Sequence, residues 1–162
     1  MERIVIQKRA TVGEYIERVR QDFLLISITT PGLDFVPLPS SRRCRGVLRL
    51  SFHDISKKIK GRVSFRRKHA RAIKRFLAWH DAPLLISQCD HGVSRSAGVA
   101  AAVARVHGLD HEWYFNQREL VPNLFVFERL LKAYHVRCSK DEIAWYRKLY
   151  LLRMKRFAGI VD

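Results

Sequence analysis

The stretch Leu84 to Gly108, LLISQCDHGVSRSAGVAAAVARVHG, constrains the chain more than any other. It opens on the apolar run Leu84–Ile86, short enough for a buried strand. Cys89-Asp90-His91-Gly92-Val93-Ser94-Arg95-Ser96 follows, then the small-residue segment Ala97–Val106 and a stop at Gly108. Strand, tight loop and helix in that order aim successive backbone N–H groups at an anion. A helix N-terminus adds about half a positive charge. A thiol held in such a field acts as a nucleophile. The loop residues Asp90, His91, Gly92, Val93, Ser94 and Arg95 are therefore expected to cradle a phosphoryl group. Arg95 adds a planar two-pronged donor that Lys could not supply. Gly92 suits the bend, because it takes positive φ at no steric cost. Ser96 stands where a hydroxyl can donate to the sulfur when it becomes the leaving group. The chemistry expected is attack of Cys89 on phosphorus, through a phosphocysteine intermediate.

Cys89 to Arg95 also fits the C-x5-R pattern, and the run Cys89-x-x-Gly92-x-Ser94-Arg95-Ser96-Ala97 resembles the dual-specificity branch of the protein tyrosine phosphatase superfamily. That resemblance implies an α/β fold with a central sheet, Cys89 as nucleophile, Arg95 as phosphate clamp and a separate Asp as general acid. It covers residues 45 to 135, where Pro122-Asn123 precedes a helix as in the family. Two positions depart from the pattern. The family has His directly before the cysteine, and this chain has Gln88, which hydrogen-bonds but stays neutral. His91 before Gly92 is similar to the RNA 5′-triphosphatase branch instead.

The resemblance places the general acid on a loop ahead of the cysteine, and Asp54 in His53-Asp54-Ile55 lies at the expected remove. Such an Asp protonates the leaving oxygen and later takes a proton from the attacking water. Asp34 and Asp81 are its rivals. Asp81 precedes the Cys89 strand and belongs at the opposite end of a sheet; Asp34 needs its loop to fold over the site. The chemistry requires no metal and no organic cofactor. Cys44 and Cys138 form no metal or disulfide pattern with Cys89, so a reducing cytoplasm is the expected setting.

Flanking elements follow from pattern. Ile4–Ile6, Phe23–Ile28 and Val47–Phe52 read as strands, the second a central one. Thr11-Val-Gly-Glu14 fits a capping box for a short helix to Arg18. Thr30-Pro31-Gly32 marks a turn. Ser64 is the expected N-cap of a helix over 65–80, with Ala70, Ile73, Phe76, Leu77 and His80 on one face. Leu124–Ala133 is amphipathic, with Asn123 expected to start the helix. Ser139-Lys-Asp-Glu142 is a second capping box, opening a helix to Phe157 ended by Gly159. Its stripes are Ile143, Tyr146, Tyr150, Met154 and Phe157, and then Trp145, Leu149 and Leu152. Docking of this helix on the core is expected, with dimerisation or membrane-surface contact as the alternative.

With 48% apolar residues the chain has the means to build a core, and no run is long enough to span a membrane. One domain over 1–162 is expected, with helix 140–157 as an appendage. The expected fold is α/β: a single central, mostly parallel sheet of four or five strands, flanked by helices. The formal net charge is +16. From Lys57 to Arg75 every charged residue is basic. That span is a candidate surface for RNA or another polyanion. The expected activity is a phosphomonoester hydrolase of tyrosine or dual-specificity type acting on phosphorylated protein. The alternatives are an RNA 5′-tri- or diphosphatase and a phosphate-binding module without turnover.

Overall fold

The computed structural model describes residues 1–157; Gly159, the expected helix stop, lies outside them. Strands β1 (Arg3–Lys8), β2 (Phe23–Thr29), β3 (Cys44–Ser51) and β4 (Leu84–Cys89) form one four-stranded sheet in the order β1-β4-β2-β3. Every pairing is parallel. β2 and β4 are buried along their whole lengths, which is why their sequences are continuous apolar runs. β3, an edge strand, alternates instead, with Arg45, Val47 and Arg49 outward.

Helix α1 (Val12–Arg18) covers one face. There Val12 and Ile16 join Phe23, Leu25, Leu84 and Ile86 in a small core. The larger core lies on the other face, under α2 (Arg67–Trp79), α3 (Arg95–Val106), α4 (Glu112–Asn116), α5 (Leu124–Ala133) and α6 (Lys140–Phe157). α3 is the axis of this layer: every residue from Arg95 to Ala104 is buried. Its small side chains let α5 approach closely. A Cβ added to Gly98 would sit 2.7 Å from the Asn123 carbonyl oxygen.

Local chemistry left one expected helix uncapped and moved the start of another. The Thr11 hydroxyl donates to Gln7 Oε1 at 2.9 Å and caps nothing, while Glu14 is engaged by Arg18. The expected capping box is absent there because a side-chain acceptor on β1 competes for the hydroxyl. The helix expected from Ser64 begins after Arg66, because the Arg66 N–H donates to His69 Nδ1 at 3.0 Å. Burial, then the charges of Lys68 and Arg66, push the His69 pKa down to about 4, so the ring stays a neutral acceptor. His69 takes the core position expected of His80, which is exposed.

The capping box at α6 does form: Ser139 N–H donates to Glu142 Oε2 at 2.7 Å and Glu142 N–H to Ser139 Oγ at 3.0 Å. Tyr146 docks that helix. It is fully buried, stacked on Phe115 at 4.0 Å, and 2.9 Å from His111 Nε2. Met154, Trp145 and Leu152 stay exposed, so the expected stripes are only partly used. No helix among the described residues is long and apolar enough to cross a membrane.

Candidate active site

In an all-parallel sheet every strand ends on the same edge, and α/β folds place ligands there. The residues following β1, β2, β3 and β4 are Arg9, Thr30, Phe52 and Asp90, and these four meet. Cys89 is the last residue of β4 and 2% exposed. Its sulfur accepts from the Gly92 N–H at 3.2 Å and shares a hydrogen bond with the Ser96 hydroxyl at 3.1 Å, in which either the thiol or the hydroxyl can donate. Gly92 has φ +68°, and a Cβ there would meet the Lys8 backbone nitrogen at 2.9 Å. Conformation and contact both require glycine.

The loop is held from outside. Val121 N–H donates to the Val93 carbonyl at 3.0 Å, and Asn123 N–H to the Ser94 carbonyl at 3.1 Å. Ser87 Oγ donates to the Ser96 carbonyl at 2.9 Å. Gln88, in the place of the family's His, is 1% exposed and accepts from Ser27 Oγ at 2.7 Å, tying β4 to β2. In β4 it alternates with Cys89, which places it on the α1 side of the sheet.

Arg95 is 3% exposed, and its guanidinium is fixed by three acceptors. Nη1 donates to Thr30 Oγ1 at 3.0 Å and to the Phe52 carbonyl at 2.9 Å; Nη2 donates to Asp90 Oδ2 at 2.7 Å. Thr30 also donates to Asp90 Oδ2, from N–H at 3.1 Å and from its hydroxyl at 2.6 Å. Burial alone would raise the Asp90 pKa. The hydrogen bonds from Thr30 and Arg95, with the Arg95 charge, outweigh it and hold the carboxyl below its usual value. Arg95 Nε is buried and, among the described residues, has no hydrogen-bond partner. A buried donor left so costs roughly 1–3 kcal/mol. An oxyanion in the loop is the partner that its chemistry fits.

Asp54 follows β3 and is exposed. Its Oδ1 accepts from Ser94 Oγ at 2.9 Å and from Asn123 Nδ2 at 2.7 Å. Asn123 Oδ1 in turn accepts from Val126 N–H. Asn123 therefore starts α5, as expected, and also ties the Asp54 loop to the phosphate loop, which was not expected. The structure thus brings Cys89, Arg95, Ser96 and, through Ser94, Asp54 to one place. Asp81, just ahead of β4, lies at the other sheet edge. Asp34 lies near the site by its backbone, where Thr29 Oγ1 donates to its carbonyl at 3.4 Å. His91 is exposed and lines a groove along β1 with Gln7, Lys8 and Trp113.

Sequence reasoning missed Thr30, the Asp90 carboxylate and the Phe52 carbonyl. Their only signal is position, each lying just past the end of a strand or inside the loop. The Asp90–Arg95 pair makes a stability prediction. Asp90→Ala strands a buried guanidinium and is expected to lower stability by about 3 kcal/mol in urea unfolding. A folded carboxyl with a lowered pKa stabilises above the ordinary carboxylate range and loses that contribution as pH falls. The wild type should therefore lose more stability on acidification than Asp90→Ala does, Glu142 keeping part of the acid limb in both; superimposable pH profiles would refute the pairing.

No protein-family model matches the chain, and a search of curated proteins finds no match either. Solved structures do match. A human tyrosine phosphatase-like serine/threonine/tyrosine-interacting protein aligns at 15% identity over 82% of this chain and 91% of its own, with a TM-score of 0.55. A mouse putative dual specificity phosphatase crystallised with zinc tungstate aligns at 21% identity over 80% of each chain, with a TM-score of 0.51. With a parallel sheet, a Cys–Arg loop at its edge and these structural relatives, the chain has the fold of the dual-specificity-like, cysteine-dependent tyrosine phosphatases.

Proposed function

We propose that the chain is a cysteine-dependent phosphomonoester hydrolase of dual-specificity type. One observation carries this reading: the buried Arg95 Nε, without a hydrogen-bond partner among the described residues, in the same loop as a sulfur bonded to the Gly92 N–H and the Ser96 hydroxyl. Cys89 Sγ attacks phosphorus, the ester oxygen leaves, and Asp54 protonates it. Water then attacks the phosphocysteine and gives its proton to Asp54. The Ser96 hydroxyl donates to the departing sulfur. Asp90, Thr30 and the Phe52 carbonyl hold Arg95 so that Nε faces the phosphoryl oxygens. Residues 1–162 form one catalytic domain in this reading, α6 included, and a reducing cytoplasm keeps Cys89 a free thiol.

The proposed substrate is a phosphorylated protein. The mouse relative's tungstate is a tetrahedral oxyanion of the kind such a loop holds. RNA 5′-phosphates are the second reading, favoured by the basic span that leads into α2. The test is hydrolysis in EDTA of a phosphotyrosine peptide, a phosphothreonine peptide and a 5′-triphosphorylated oligonucleotide, with acid quenching during turnover. A phosphate adduct on Cys89 and a preference for the peptides are expected. Preference for the oligonucleotide would move the substrate to RNA, and turnover without an adduct would remove the mechanism.

A further inference from the structure

α2 carries a basic face that nothing in the fold explains. Arg66, Arg67, Lys68, Arg71, Lys74 and Arg75 lie at its start or on it, no acidic residue lies within it, and none of the six takes part in an ion pair among the described residues. Lys74 is otherwise engaged, donating to the Ala133 carbonyl at 3.1 Å and lying over the Tyr134 ring. Lys68, Arg71, Arg75 and Trp79 recur at helical spacing and line one groove of about 470 Å³. They span about 16 Å of helix axis. Trp79 ends the row and is 81% exposed. A lone surface tryptophan means little; here it closes a groove whose other walls, Ala78 apart, are basic. The start of α2 lies beside the candidate site, because His69 stacks on Phe52, whose carbonyl holds Arg95.

We infer that this face binds single-stranded nucleic acid, with Lys68, Arg71 and Arg75 on the phosphates and a base stacked on Trp79. Stacking on an aromatic beside a basic track is how strands are held without sequence preference. A membrane surface fits less well, because among the described residues only Ala78 and Trp79 line the groove with apolar groups, too few to make a stripe that inserts there. A plain polyanion would use the charges and leave Trp79 idle.

The surface does not depend on turnover, so its test uses 5′-hydroxyl RNA, which offers no terminal phosphate to Cys89. Binding of a labelled single-stranded oligoribonucleotide to the full chain is measured by fluorescence anisotropy across a salt series, with a heparin-type polysaccharide and phosphatidylserine-containing vesicles as competing probes. Trp79→Ala is expected to weaken RNA binding about tenfold, the worth of one stacked base, and to leave polysaccharide binding unchanged. Arg71→Gln with Arg75→Gln should weaken both and make the log–log salt slope for RNA shallower by about 1.4. Both variants should keep aryl phosphate hydrolysis, which separates failure here from failure of the hydrolase reading. Wild-type RNA affinity in Trp79→Ala, an unchanged slope in the double variant, or a Trp79-dependent preference for vesicles would each overturn the inference.

Discussion

Cys89→Ser is expected to abolish aryl phosphate hydrolysis, by roughly 10⁴-fold or more, while tungstate stabilises the variant as well as the wild type. The two effects separate because different atoms cause them. Turnover needs a sulfur that attacks phosphorus and then leaves it. A serine hydroxyl of nearly the same shape is a far weaker nucleophile, and no group in the loop is placed to take its proton. Anion binding needs the loop amides and Arg95. Arg95 is held by Thr30, Phe52 and Asp90, none of which touches the sulfur. The Gly92 N–H and the Ser96 hydroxyl can serve an oxygen at position 89 as they serve sulfur. Saturating tungstate at about a hundred times its dissociation constant adds about 2.7 kcal/mol of stability, a shift that a melting curve resolves. Equal activity of the two proteins would sink the nucleophile assignment. Tungstate binding by a wild type that hydrolyses no phosphate ester would make the chain a phosphate-binding module.

How far the site was legible depends on how its residues are linked. Cys89, Gly92, Arg95 and Ser96 lie in one covalent run, and a strand–loop–helix leaves that run little freedom, so their roles could be read from order alone. The parallel sheet was readable for a similar reason: runs such as Phe23–Thr29 and Leu84–Cys89 must be buried on both faces. What could not be read is what meets only across the sheet edge. Thr30 is separated from Asp90 by sixty positions, and Asn123 from Asp54 by sixty-nine. Nothing local says that Thr30-Pro31-Gly32 is more than a turn. Local signals also failed where a tertiary acceptor or donor outbid them. Thr11 turned to Gln7, and Ser64 yielded the helix start to the Arg66–His69 pair. The Ser139–Glu142 box formed as expected although Arg105 also donates to Glu142, because that bond takes Oε1 and leaves Oε2 to the Ser139 N–H.

Asp54→Asn should lower kcat by roughly 10²–10⁴, the usual worth of general acid–base catalysis, with the larger loss on alkyl phosphates. The side-chain amide of this variant can still accept from Ser94 Oγ and Asn123 Nδ2, the two donors that hold Asp54 at 2.9 and 2.7 Å, so the loop should keep its place. What the amide lacks is an acidic proton that it can transfer to the leaving oxygen. An alkoxide leaves poorly without one, whereas an aryl oxygen with an electron-withdrawing ring needs it less, so the deficit should grow with leaving-group basicity. Asn123→Ala tests the support rather than the acid. It removes the side-chain cap of α5, about 1 kcal/mol of stability, and frees Asp54 from one donor; kcat should drop while its dependence on leaving-group basicity stays that of the wild type. If Asp54→Asn alters neither rate nor leaving-group dependence in a protein that turns over, the acid is not Asp54. Asp34, whose carbonyl is already bonded by Thr29 Oγ1 at the end of β2, is then the carboxylate to replace.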